Sequence, residues 1–199
     1  MKASDFKRIA KPLLPKGERW EFQGSHYYRA PVRHFVVGVS YESSSFDTGA
    51  YVWKFMMPLF VPTEHFVATF SSRIGGGAMK YYSEEPAALT AAIELALRDI
   101  PDDEEAMRTV LERLHGLPAS LRREETEAYA YALLAEPDEA LKRIGQATLR
   151  PIEYDWQADV LAALRRLETK IEEGGAAGGT RAAEDQARQT AKALRLIHV

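Results

Sequence analysis

The chain has 199 residues, 46% of them hydrophobic and 28% charged, with no cysteine and a formal net charge of -3. A chain of this length buries roughly 70% of its unfolded surface, so a core forms without disulfides or a structural metal. The missing cysteine excludes thiolate zinc sites, iron-sulfur clusters and cysteine nucleophiles, each of which needs the sulfur itself.

The first residues, Met1 to Lys16, scatter basic side chains through a stretch with no apolar run of signal-peptide length. The longest apolar stretch, Phe55 to Pro62, falls far short of the roughly 20 residues that span a bilayer. These features predict a cytoplasmic chain with no membrane partner. Up to Pro86 the chain holds 11 Lys and Arg against 8 Asp and Glu, whereas the remainder holds 15 against 21. All eight Phe lie in the first part, and the second is rich in Ala, Leu, Glu and Arg. Aromatic residues favour strands and the second mixture favours helices.

Period-two alternation predicts four strands in the first part. Over Arg19 to Tyr28 the even residues Trp20, Phe22, Gly24, His26 and Tyr28 form the buried face. Over Arg33 to Tyr41 the odd residues Phe35, Val37, Val39 and Tyr41 do so, which a tight reversal at Ala30 and Pro31 explains by pairing even with odd positions. The third strand, Tyr51 to Leu59, buries Tyr51, Trp53, Phe55 and Met57. The fourth, His65 to Ile74, buries Phe66, Ala68, Phe70 and Ile74. An antiparallel meander joins them.

Helical spacing follows. Leu89, Ile93 and Leu97 mark one helix, and Met107, Val110, Leu111 and Leu114 mark the next, opened by Pro101 and Asp102 and ended by Gly116 and Pro118. A third covers about Leu121 to Ala135 and a fourth about Pro137 to Leu149. A fifth carries Ile152, Trp156, Val160, Leu164, Leu167 and Ile171. The run Gly174 to Gly179, GGAAGG, reads as a flexible linker before a last segment from Arg181 to Leu196. The expected organisation is residues 1–86 as a first helix and sheet, 87–173 as a helical block on it, 174–179 as linker and 180–199 as a C-terminal helix.

Candidate sites are few. The strand parity puts His26 in the core, opposite Phe35. It places His34 and His65 on the outer sheet face with Tyr27, Arg29, Lys54 and Arg73, where His34, His65 and Arg73 are the candidate catalytic groups. No third ligand stands at metal-binding spacing, and no cofactor fingerprint, nucleophile elbow or metalloprotease motif occurs, so no metal or cofactor is expected. The stretch Arg73 to Lys80, RIGGGAMK, lacks the spacing and the Ser or Thr of a phosphate loop and reads as a turn ending the meander. The stretch His26 to Phe35 mixes aromatic and basic residues, but a charge of +3 spread over 86 residues argues against nucleic acid as a partner. Met57, Leu59, Phe60 and Val61 form an apolar segment stiffened by Pro58 and Pro62, and are the candidate contact with a partner protein.

Two resemblances accompany these residues. The stretch Tyr129 to Leu141, YAYALLAEPDEAL, resembles the turn between paired helices of tetratricopeptide repeats. It occurs once, where such arrays stack about three copies, which implies a single helical hairpin. Residues 6–75, with Trp20 and Phe22, Tyr27-Tyr28-Arg29 and the Phe35–Val39 strand, resemble uncharacterised bacterial domains of unknown function, some of them near toxin-immunity loci.

The sequence therefore predicts an α+β protein, a four- or five-stranded antiparallel meander packed on one face by helices and followed by a helical block. Its expected function is non-catalytic protein binding, of an immunity-like kind by the second resemblance. The alternative is a small hydrolase or ligand-binding enzyme using the outer sheet face.

Overall fold

A computed structural model describes residues 2–43, 50–67, 69–74 and 86–197. The chain enters through α1 (Ala3–Ala10), whose Phe6 and Ala10 are fully buried, and a short 3-10 turn (Lys11–Leu13). Five strands follow: β1 (Arg19–Gln23), β2 (His26–Ala30), β3 (Phe35–Ser43), β4 (Ala50–Pro58) and β5 (Phe70–Arg73). They form one antiparallel sheet in chain order, the meander predicted from alternation.

The first predicted strand is two. Gly24 takes φ +61 at the first position of a two-residue reversal, a conformation open to glycine at little cost. This turn sends Trp20 and Phe22 to one face with Tyr27, while His26 and Tyr28 go to the other. Tyr27 then faces Val39 and His26 faces Ser40, not Phe35. Between β3 and β4, Phe35 pairs with Pro58 and Ser43 with Ala50, so odd positions meet even ones. Phe35, Val37, Val39 and Tyr41 therefore share a face with Val52, Lys54 and Met56, and the predicted set Tyr51, Trp53, Phe55 and Met57 lies on the opposite face. Alternation misleads here because apolar residues occupy both faces.

The helices account for one of those faces. Phe6 packs 4.8 Å from Tyr41 and 6.1 Å from Tyr27. Beside α1 lies α2 (Pro86–Leu97), which buries Leu89, Ala92, Ile93 and Ala96 against Tyr27, Val39 and Val52. The opposite face, expected open, is covered by the chain after β4 and by its last residues. Phe66 stacks on His26 at 4.1 Å and stands edge-on 5.2 Å from Phe55 there, while the fully buried Phe60 meets Phe35 of the other face edge-on at 5.3 Å. From the C-terminal end, Ile197 O accepts from Val32 N at 2.8 Å, and Leu194 O accepts from Gln23 Nε2 at 2.9 Å.

The helical block contains α3 (Asp103–His115), α4 (Leu121–Leu133), α5 (Pro137–Thr148) and α6 (Asp155–Ala193). Asp102 caps α3 by accepting from Glu105 N at 2.9 Å, and Ser120 caps α4 through Arg123 N. Ala135, with φ 59, reverses the chain into α5 and completes the predicted helical hairpin.

The glycine run, expected as a flexible linker, is part of α6. Residues 155–193 are helical apart from a break at Gly175, with φ 58 and ψ -147, where the helix folds back on itself. A Cβ on Gly178 would lie 2.1 Å from the Lys170 carbonyl oxygen, and one on Gly179 would lie 2.8 Å from an Ile171 side-chain carbon. In a straight helix residues 170 and 178 would stand about 12 Å apart. The glycines thus permit a tight hairpin, and the second arm buries Ala183, Ala187 and Ala191 in the main core.

Candidate functional site

The sequence candidates do not converge. His34 leaves the sheet and meets the start of α3, where the Asp103 carboxylate accepts from its backbone N and lies 3.2 Å from its Nδ1. Burial pushes the Asp103 carboxyl up, but the side-chain and backbone hydrogen bonds of His34, with the charges of His34 and Arg33, outweigh this and hold it below its usual value. Asp103 is 69 residues from His34 in the chain, so no local motif announces the pair. His65 is exposed in a turn closed by hydrogen bonds with Thr63. Arg73 lies over the Tyr51 ring at 4.2 Å and the Trp53 ring at 4.8 Å. These are three separate settings.

The predicted partner segment is core. Met57, Leu59 and Phe60 are 1% exposed or less, and Val61 is partly buried against them. Arg29 is committed to Pro101 O at 2.6 Å and Arg33 to Glu184 at 3.6 Å, so neither the apolar segment nor the aromatic-basic stretch forms a free recognition face. The glycines of RIGGGAMK lie outside the described residues.

His34 and Asp103 border a cleft of about 530 Å³ with Met107, Leu111, Leu133 and Leu134. Fixed by Asp103, the imidazole would present Nε2 as its second polar atom, yet Nε2 is buried without a hydrogen-bond partner. The pair as folded clamps the β2–β3 connection to α3.

A second feature lies at the far end of the helical block. In the connection from α5 into α6, Leu149 is 86% exposed, Ile152 57%, Tyr154 61% and Trp156 42%. Two of these, Ile152 and Trp156, were expected on the buried stripe with Val160 and Leu164. Pro151 offers the missed signal for Ile152, because the residue before a proline is pushed out of the helical region and the chain runs irregularly until α6 starts at Asp155; Trp156 stands in the first turn of α6. In the structure α6 begins at Asp155, with Gln157 Oε1 accepting from the backbone N of Glu153 and of Tyr154.

The patch stands on an unusual foundation. Glutamate is rarely buried unless paired, yet Glu124, Glu125 and Glu127 of α4 are nearly or fully buried. Each is held by arginine. Glu124 binds Arg150 through two hydrogen bonds of 2.5 Å, Glu125 accepts from Arg122 at 2.7 Å, and Glu127 meets Arg123 at 3.0 Å and Arg143 at 3.2 Å. Burial raises the Glu125 carboxyl above its usual range against the pull of Arg122, and its Oε1 has no hydrogen-bond partner. Arg122 also lies 5.0 Å over the Trp156 ring, which ties the patch to the buried carboxylates.

Among the described residues no cluster of three or more His, Asp or Glu could hold a metal ion, and no helix is long and apolar enough to cross a membrane. Comparison with protein-family models, curated proteins and solved structures finds no match for this chain.

Proposed function

We propose that this chain is a protein-binding module whose contact surface is the α5–α6 connection. The observation that carries the reading is the exposure of Leu149, Ile152, Tyr154 and Trp156 within eight consecutive residues. Single exposed apolar side chains are ordinary, but four within eight residues, Trp and Tyr among them, have the composition of an interface centre. The rigid α4–α5–α6 packing beneath it limits the entropy lost on binding. An immunity-like role within this reading rests on the family resemblance alone.

The reading is tested by pull-down from the native host with wild-type chain and with a Leu149→Ser, Trp156→Ser double variant as baits. A partner retained by the first bait and lost from the second, at equal melting temperature, supports it. Identical protein sets on both baits count against it.

The His34–Asp103 pair favours a second reading, a site for a small ligand or for hydrolysis. Here Asp103 would orient the ring and Nε2 would accept a proton from the ligand or from water once the ring turned into the cleft. The version on the outer sheet face loses its premise, since that face is covered. A thermal-shift screen of small metabolites against wild type and Asp103→Asn examines the cleft version, and failure of every compound to move the wild-type transition would sink it.

A further inference from the structure

The chemistry around the α5–α6 patch is asymmetric in charge. Two arginines stand at it, each paired with a buried carboxylate: Arg150 with Glu124, and Arg122 with Glu125 while it also lies over the Trp156 ring. Glu153, Asp155 and Asp159 are exposed, and their carboxylates have no ion-pair partner among the described residues. The patch therefore presents an apolar and aromatic centre with three uncompensated negative charges beside it. A cleft of about 320 Å³ adjoins it, lined by Ser120, Pro151, Glu153 and Trp156 and by the paired arginines Arg122 and Arg150, so the three carboxylates outside those pairs set the charge of the surface.

We infer that the partner is a protein segment with an apolar centre flanked by lysine or arginine, the apolar side chains covering Leu149 and Ile152 and the cationic ones meeting the exposed carboxylates of Glu153, Asp155 and Asp159. This rests on the protein-binding reading above. Other occupants fit less well. An anionic lipid surface would be repelled by the three carboxylates. In a two-fold dimer built on this patch, the acidic residues of one copy would face those of the other, with the nearby arginines already committed. A cationic partner gains on encounter and in the bound state, and its affinity falls as salt screens the carboxylates.

A random-peptide phage library panned against the full chain tests this. The expected result is enrichment of peptides with an apolar centre and flanking Lys or Arg. Their affinity should drop about tenfold or more in Leu149→Ser and in Trp156→Ser, and similarly in the Glu153→Gln, Asp155→Asn, Asp159→Asn variant and at high salt. Leu149 is the most exposed of these apolar residues, so its variant tests the surface even if Trp156→Ser disturbs α6. Enriched peptides that need Leu149 and Trp156 but ignore the neutralising substitutions overturn the cationic partner and leave the protein-binding reading standing. Peptides that bind independently of the patch overturn both. A dimer in light scattering that Leu149→Ser dissociates assigns the patch to a second copy, and binding to phosphatidylglycerol vesicles assigns it to a membrane; either overturns the inference.

Discussion

Arg150 closes a two-point grip on Glu124, Nε to Oε2 and Nη2 to Oε1, each 2.5 Å, joining the end of α5 to the buried side of α4. Glu124 is 4% exposed, so it depends on this partner, whereas Arg150 keeps about a third of its side chain in solvent. Removing the arginine leaves a buried charge without compensation. Removing both groups leaves only a packing problem.

The expected consequence is an unequal mutant series. Arg150→Met should cost about 2–3 kcal/mol, reduced from a fully buried pair by the exposure of Arg150, while Glu124→Met combined with Arg150→Met should cost clearly less. Urea denaturation of the two variants checks this. Equal losses would mean that the grip contributes through shape alone.

His26 makes stability depend on mild acid. Burial lowers it from 6.5 to about 4, in its stack on Phe66 and edge contact with Phe55. Because the unfolded chain takes up the proton first, stability is full above pH 6.5 and falls as pH drops from 6.5 towards 4. The shift corresponds to about 3 kcal/mol, and partial solvent access reduces the expected loss to about 1–2 kcal/mol. Asp103, held below 3.8, loses its contribution only at lower pH, so the two windows separate. His26→Phe keeps an aromatic stack and should flatten the profile between pH 6.5 and 4. Unfolding free energies measured across that range decide it.

Gly178 is required by contact, not by flexibility. Gly178→Ala puts a methyl group 2.1 Å from the Lys170 carbonyl and should destabilise by about 2–4 kcal/mol, because backbone must move. Gly174→Ala has nothing within 4 Å of the new carbon and should be neutral or stabilising by up to about 1 kcal/mol through helix propensity. Thermal melts of the pair compare the two. Equal effects would restore the linker reading.

Ending the chain at Gly174 should abolish the cooperative transition. The second arm of α6 supplies Ala183, Ala187 and Ala191 to the main core, and its continuation binds Gln23, Tyr28 and Val32 of the sheet region. Calorimetry of the truncated chain checks this, and a retained sharp transition near the wild-type temperature would show the arm to be an accessory.

Leu89, Ile93 and Leu97 on α2, and Met107, Val110 and Leu114 on α3, were readable from spacing, because those stripes answer to one buried direction each. The strands were readable as elements, but their faces were not. Trp20 and Tyr28 part company at Gly24, and covering by Phe66 and the C-terminal residues buries a face that alternation had left to solvent.

By itself the sequence determined the α+β class, the antiparallel order of the sheet and the absence of thiol chemistry, all of which follow from local propensity and composition. Only the tertiary structure decided that Gly178 closes a helical hairpin, that Asp103 meets His34, and that Glu124 and Glu125 lie inside while Leu149 and Trp156 lie outside. Two of those outcomes join residues far apart in the chain, His34 with Asp103 and Glu124 with Arg150. Glu125 and Glu127 have arginines one turn away on α4, but Glu124 is buried because Arg150 reaches it from beyond α5, an encounter that is a property of packing, with no trace in the pattern around either residue.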